Sequence, residues 1–292
     1  MNERVFMDLN RKYVDIWNKY REQYGQNNQK DLKDIGLNYW PYLYTYEKSR
    51  QRPILFVGFN PSLDDKNDEY KQEIRIVGKF DDDNVKKKKI IQLEKKYISD
   101  SLCDGVEKGR LYGYYMHFPN ISRNVLGKEN RCNWIHIDLL PIRNHNQGQV
   151  IKNLHLHKNN VFCDINSKYK EFIEELIEQF FYAIPIIDPV AIVVVNAFVS
   201  GSIIRITDST YEKIKEVKKC ARYFIPEGYE FQIDMDTFDR EGIRKLKASG
   251  NEYPVFLSSM LTSQRALDVP SRERLIWHMK KVIRNESDMK TL

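Results

Sequence analysis

The chain has 292 residues, 41% of them apolar, and a formal charge of +6. That suffices for one large domain or two small ones with a sizeable core, and aromatic residues are plentiful, with 18 Tyr and 14 Phe. The mild basic excess suits a partner with phosphates without demanding one; a basic surface kept for solubility reads the same way.

Residues 4 to 24 carry apolar side chains at helical spacing: Val5, Phe6, Leu9, Tyr13, Ile16, Trp17 and Tyr20. They predict an amphipathic helix packed on the main body. An aromatic-rich stretch, Leu37 to Tyr46, leads to Pro53, where the first strand begins. Ile54-Leu55-Phe56-Val57 is apolar and β-rich and stops abruptly at Gly58-Phe59-Asn60-Pro61-Ser62. Pro61 fixes its own φ and pushes Asn60 out of the helical region, so the amide is presented rather than packed. Open α/β sheets put their ligands at such strand ends. A plain Asx-Pro turn is the other reading of the same residues.

Residues 64 to 108 are highly charged, with Asp81-Asp82-Asp83 and Lys86 to Lys89, yet Ile90, Ile91, Leu93, Tyr97 and Ile98 suggest a helix there. Its lysines either touch a phosphate backbone or form a solvated face. Tyr112 to Asn120 is a tight aromatic loop. Asn133 to Pro141 contains a second strand ending near Asp138; Arg143, Asn144 and His145 follow as electrostatic or merely solvated groups. Residues 168 to 182 predict a helix with Tyr169, Phe172, Ile173, Leu176, Ile177 and Phe180 on one face. Val190 to Asn196 is the continuous β-branched run of a buried parallel strand. Residues 201 to 250 are less regular, and Glu230 to Asp234 reads as an edge strand or an insertion. Tyr253 to Ser259 is a fourth core strand, followed by a last helix that opens at Pro270-Ser271.

Four apolar strands with helical connections predict an α/β fold, a three-layer αβα sandwich around a central, mainly parallel four-stranded sheet. The polar strand ends, Asn60, Asp138, Asn196, and Ser258 with Ser259, then converge on one edge as one pocket.

Cys103, Cys132, Cys163 and Cys220 are widely separated, without a C-x-x-C pair, which excludes a zinc ribbon and fits reduced thiols. His155 and His157 with Cys163 form either a weak metal triad or a polar loop. The N-terminus has no apolar leader, and the longest apolar stretch, Ile184 to Val199, is interrupted by Asp188, Pro189 and Asn196. A soluble cytoplasmic monomer without membrane contact is expected. No P-loop or G-x-G-x-x-G is present to cradle a nucleotide cofactor.

In the order of its parts the chain resembles the uracil-DNA glycosylase superfamily. Gly58-Phe59-Asn60-Pro61-Ser62 is similar to the Gly-x-Asn-Pro motif of the mismatch-specific branch, and the resemblance runs from Pro53 to Ile283. It implies a helical extension over 1–52 and a glycosylase-like domain over 53–292, with insertions near 64–110 and 200–250. It implies that Asn60 positions a water for attack on C1′ and that the aromatic loop, through Tyr115 and Phe118, stacks on an extruded base. Asp138 takes the position that reads the base edge, with Phe59 and Asn196 beside it. The loop after the last strand, Ser258-Ser259-Met260-Leu261-Thr262-Ser263, corresponds to the one that pinches the backbone and inserts an apolar wedge, here Met260 or Leu261. Ser62 and Arg265 join these DNA contacts. The loop lacks the family's His and Pro, so no histidine is assigned to the departing base.

The implied chemistry needs DNA as partner and no cofactor. The target nucleotide is extruded and read on its Watson–Crick edge. A neutral amide at Asn60 takes up no proton but orients a water. Asp65, with Asp64, either supplies a carboxylate or caps a helix start. An ionised Asp138 only accepts hydrogen bonds, which suits the exocyclic amine of a cytosine better than uracil O4. The expected activity is therefore a monofunctional DNA glycosylase acting on a flipped-out pyrimidine, leaning to a modified cytosine, in defence against phage or in base-excision repair. A uracil or mismatch repair glycosylase, a catalytically inactive nucleic-acid-binding protein on the same scaffold, and an unrelated α/β hydrolase are the alternatives.

Overall fold

Short runs of β-branched and aliphatic residues build the centre of the molecule. The computed structural model describes residues 3–25, 32–33, 35–41, 43, 52–61, 72, 74–76, 86, 88–93, 115–130, 133–144, 147–154, 169–200, 229–234, 243–258, 261 and 267–289. Six strands among them form one sheet: β1 (Ile54–Gly58), β2 (Trp134–Asp138), β3 (Ala191–Val194), β4 (Tyr229–Asp234), β5 (Ile243–Ala248) and β6 (Asn251–Leu257). The order is β2-β1-β3-β6-β5-β4. β2, β1, β3 and β6 are parallel neighbours, the four-stranded core that the sequence predicts.

The sheet is larger than four strands, because β5 and β4 extend it antiparallel beyond β6. Glu230 to Asp234 is thus part of an edge strand. β5 escapes sequence reading because buried Leu246 and Ala248 alternate with lysines in a charged stretch too short to stand out. Ser249 and Gly250, at φ 52° and 79°, close the β5–β6 hairpin. Two successive positive φ values match the twist of the paired strands.

Among the described residues five helices with full bounds cover the two faces: α1 (Glu3–Gly25), α2 (Phe118–Leu126), α3 (Gln147–Asn153), α4 (Lys170–Ile187) and α5 (Val269–Met289). α1 and α4 share one core with Leu55, Val57, Ile192 and Val194 of the sheet. Trp17 and Tyr20 of α1 meet the Phe172 ring of α4 at centroid distances of 5.6 and 5.0 Å. α2 and α5 cover the opposite face, with Ile54, Phe56, Val193 and Phe256 beneath them. The alternation of strand residues between the two cores is the period-2 pleat. α2 takes over the last three residues of the expected aromatic loop: Pro119 sits in its first turn, where a missing N–H costs nothing. A further helical stretch at 88–93 buries Ile90. Among the described residues no helix is long and apolar enough to cross a membrane.

β1 lies between β2 and β3, so the chain leaves it first to one side and then to the other. The carboxyl end of β1 is therefore the topological switch point, where open α/β sheets leave a crevice.

Candidate functional site at the carboxyl rim of the sheet

The pairing of β1 and β2 continues past their ends. Gly58 faces Asp138 in register, the Leu139 amide donates to the Gly58 carbonyl (3.1 Å), and the Leu140 amide to that of Phe59 (2.9 Å). The Asn144 amide then donates to the Pro61 carbonyl (3.3 Å). The two outgoing segments run side by side and carry Asn60 over the rim.

There the Asn60 side chain is fixed from one end. Its Nδ2 donates to the carbonyls of Pro61 (3.2 Å) and Ile142 (3.3 Å). Two carbonyls decide which end of the amide is nitrogen. Among the described residues no hydrogen bond reaches Oδ1, so the acceptor end stays open for a donor.

The carbonyl of Ile142 is itself held from the N-terminal region. Trp17 Nε1 donates to the Tyr39 carbonyl (2.8 Å) and Arg21 Nη1 to that of Leu37 (2.8 Å), which secures the segment at 35–40. The buried Arg143 donates through Nε to the Trp40 carbonyl (2.8 Å). Gly36, at φ 74°, lies so close that a Cβ would sit 2.6 Å from Ile142 Cγ2 and 3.0 Å from the Arg143 carbonyl. Only glycine suits that contact and that backbone.

Asp138 lies one strand over and two residues back, roughly 8 Å away at ordinary sheet spacings. It is 5% exposed and shares the α2–α5 face with His136 and Trp134, two and four residues earlier. His136 Nε2 is 3.7 Å from Asp138 Oδ1, too long for a hydrogen bond. Burial pushes the His136 pKa down to about 3, so the imidazole is neutral and this contact is not an ion pair. Aromatic rings surround it: Phe118 stacks at 5.7 Å and Tyr115 meets it edge-on at 5.5 Å.

Some expected contacts are absorbed by the fold. Phe118 is wholly buried, stacked on Phe56 at 4.1 Å, so its ring is core and not a stacking surface for a ligand. Phe59 falls on the α1–α4 face and packs edge-on against Phe198 at 4.9 Å. Asn196 is a helix cap: its Oδ1 accepts from the amides of Phe198 (2.9 Å) and Val199 (3.1 Å), and its Nδ2 donates to Gln147 Oε1 (2.8 Å). Leu261 is buried between α2 and α5 and is no exposed wedge. Ser258 does lie at the rim, its amide on the Val194 carbonyl (2.9 Å) and its own carbonyl receiving Ser200 Oγ (2.7 Å). Asn60, Asp138 and Ser258 are thus the expected residues left on the rim side, while Tyr115, 8% exposed, packs in the same aromatic core as Phe118. Ser62, Asp65, Ser259, Met260, Ser263, Arg265, His155, His157 and the four cysteines lie outside the described residues.

No family model, curated protein or solved structure matches the chain. The rim is therefore read from its own chemistry. Among the described residues no three His, Cys, Asp or Glu side chains are grouped to hold a metal ion. Sequence reading overlooked His136, although its place two residues before Asp138 on a strand puts both on one face. It also undervalued Arg143, whose burial depends on a carbonyl 103 residues away.

Proposed function

We propose that this chain is a monofunctional DNA glycosylase of the uracil-DNA glycosylase type that hydrolyses the N-glycosidic bond of an extruded pyrimidine, with a modified cytosine as the favoured base. One observation carries the reading: at the switch point of the sheet, the Asn60 amide is held by two carbonyls with its oxygen left to accept. In this role Oδ1 receives a hydrogen from the attacking water and orients it, an entropic contribution rather than proton abstraction. Asp138 accepts from the exocyclic amine of the base. The neutral His136 beside it forms no ion pair with that carboxylate. In this reading Tyr115, 8% exposed and edge-on to His136, is the ring that flanks the base. The inactive nucleic-acid-binding alternative draws on one finding: Phe118 and Asn196, expected to touch the base, serve packing and capping.

The test is excision on duplexes carrying uracil, mismatched thymine, hydroxymethylcytosine or glucosylated hydroxymethylcytosine, read as alkali-labile abasic sites. Asn60→Ala is expected to lower the rate on the preferred substrate by at least about 10²-fold, the scale of losing one positioned polar group in a site. Cleavage of uracil alone would overturn the assignment of Asp138. DNA binding without abasic sites on any substrate would favour the inactive alternative, and neither binding nor cleavage would remove the whole reading.

A further inference from the structure

Few large apolar side chains are exposed among the described residues, and three of the four, Met116, Val269 and Trp277, belong to the α2–α5 layer; Tyr182 is the other. Met116 lies two residues before α2, Val269 opens α5, and Trp277 stands two turns further along that helix. Arg272 Nη1 lies 3.2 Å from His117 Nε2, which ties the starts of the two helices together. Burial and the Arg272 charge lower the His117 pKa, so the ring accepts from the guanidinium rather than repelling it.

The described side chains of α5, residues 269–283, include four cations, Arg272, Arg274, Lys280 and Lys281, and one acid, Glu273. Arg274, Trp277 and Lys281 fall on one stripe by helical spacing, all three exposed. Lys281 Nζ sits 4.3 Å from the centre of the Trp277 ring. Trp277 is 53% exposed, so part of its ring is open to solvent beside the Lys281 ammonium.

We propose that the stripe Arg274–Trp277–Lys281 docks a single nucleic-acid strand leading away from the rim, with Trp277 stacked on an unpaired base and the two cations on its phosphates. Charge and composition select the occupant. An aromatic face interleaved with cations is the arrangement that holds single strands without sequence preference, whereas a protein partner seated on an apolar stripe calls for fewer like charges around it. A duplex offers no unstacked base to the indole. α5 starts where the chain returns from β6 at the rim, and a rise of 1.5 Å per residue puts Trp277 about 12 Å from Val269, within a few nucleotides of the crevice. This inference takes its polarity, from rim to stripe, from the proposed function; strand binding itself needs no catalysis.

The experiment uses the full chain and an unmodified 15-mer oligothymidylate, with fluorescence anisotropy across a salt series. Trp277→Ala is expected to weaken binding about tenfold, Trp277→Phe to restore most of it, and Arg274→Glu with Lys281→Glu to flatten the salt slope by about 1 to 2. Most of the tryptophan quenching by the oligomer should be lost in Trp277→Phe, because Trp17 and Trp40 are buried and Trp134 is half-buried in the α2–α5 core. Unchanged affinity in Trp277→Ala at every salt concentration overturns the proposal. So does tighter binding of the wild-type chain to anionic vesicles than to the single strand. Strand binding lost with Trp277→Ala, together with no abasic sites on any substrate, keeps the stripe and removes the glycosylase. Excision intact with Trp277→Ala binding unmoved does the reverse.

Discussion

The two helical layers use their buried groups differently. Under α1 and α4 the rings of Trp17, Tyr20 and Phe172 interlock, Phe59 closes the edge with Phe198, and Asn196 gives both ends of its amide to local structure. Under α2 and α5 an aromatic group instead encloses a neutral histidine and leads to a buried carboxylate at the rim. That same layer carries most of the exposed large apolar side chains. The contrast teaches that interlocked rings dominate under α1 and α4, whereas the α2–α5 side buries titratable groups beside the rim.

Acid should show that difference most strongly. His136 is held near a pKa of about 3 in the folded chain, against about 6.5 when unfolded. Between those values the unfolded chain binds the extra proton, so stability is complete above about pH 6.5 and falls as pH drops toward 3. The full span is roughly 4–5 kcal/mol at 1.36 kcal/mol per pKa unit. Urea unfolding of His136→Phe should lose this part of the pH slope; a slope equal to that of the wild type would break the contrast. Trp17→Ala on the other layer should cost about 3–5 kcal/mol at every pH, read from the same unfolding curves.

Gly36→Ala tests the link from the N-terminal region to the rim. Positive φ together with a Cβ 2.6 Å from Ile142 predicts a loss of about 1–3 kcal/mol. It should also change the side-chain amide resonances of Asn60 in an NMR spectrum, since Ile142 holds that amide. Unshifted Asn60 signals would separate the two regions. The smallest effect is expected at the β5–β6 hairpin: Ser249→Gly relieves a positive φ in a non-glycine residue and should raise stability by up to about 1 kcal/mol in thermal melts.

How much of this was legible follows from the range of the forces involved. The strands at 54, 134, 191 and 253 are readable because a strand buried on both faces must be a continuous apolar run. α1 is readable because its stripe repeats at helical spacing. Asn60 stands out because Pro61 restricts it locally. The lysine-interrupted β5 and the proline-led α2 carry too little local signal, and their partners decide them.

Local pattern alone determined the four core strands and the long helices α1, α4 and α5, that those strands would be parallel and covered on both sides, and that an amide would stand at the end of the first. Only the folded chain decided the order β2-β1-β3-β6, and with it which neighbours each strand end meets. It turned Phe118, Phe59 and Leu261 into core, made Asn196 a cap, and brought Arg143 and Gly36 to the support of Asn60. The reason is that a residue's type limits the bonds it can make, whereas burial and partner depend on chain segments many tens of residues away.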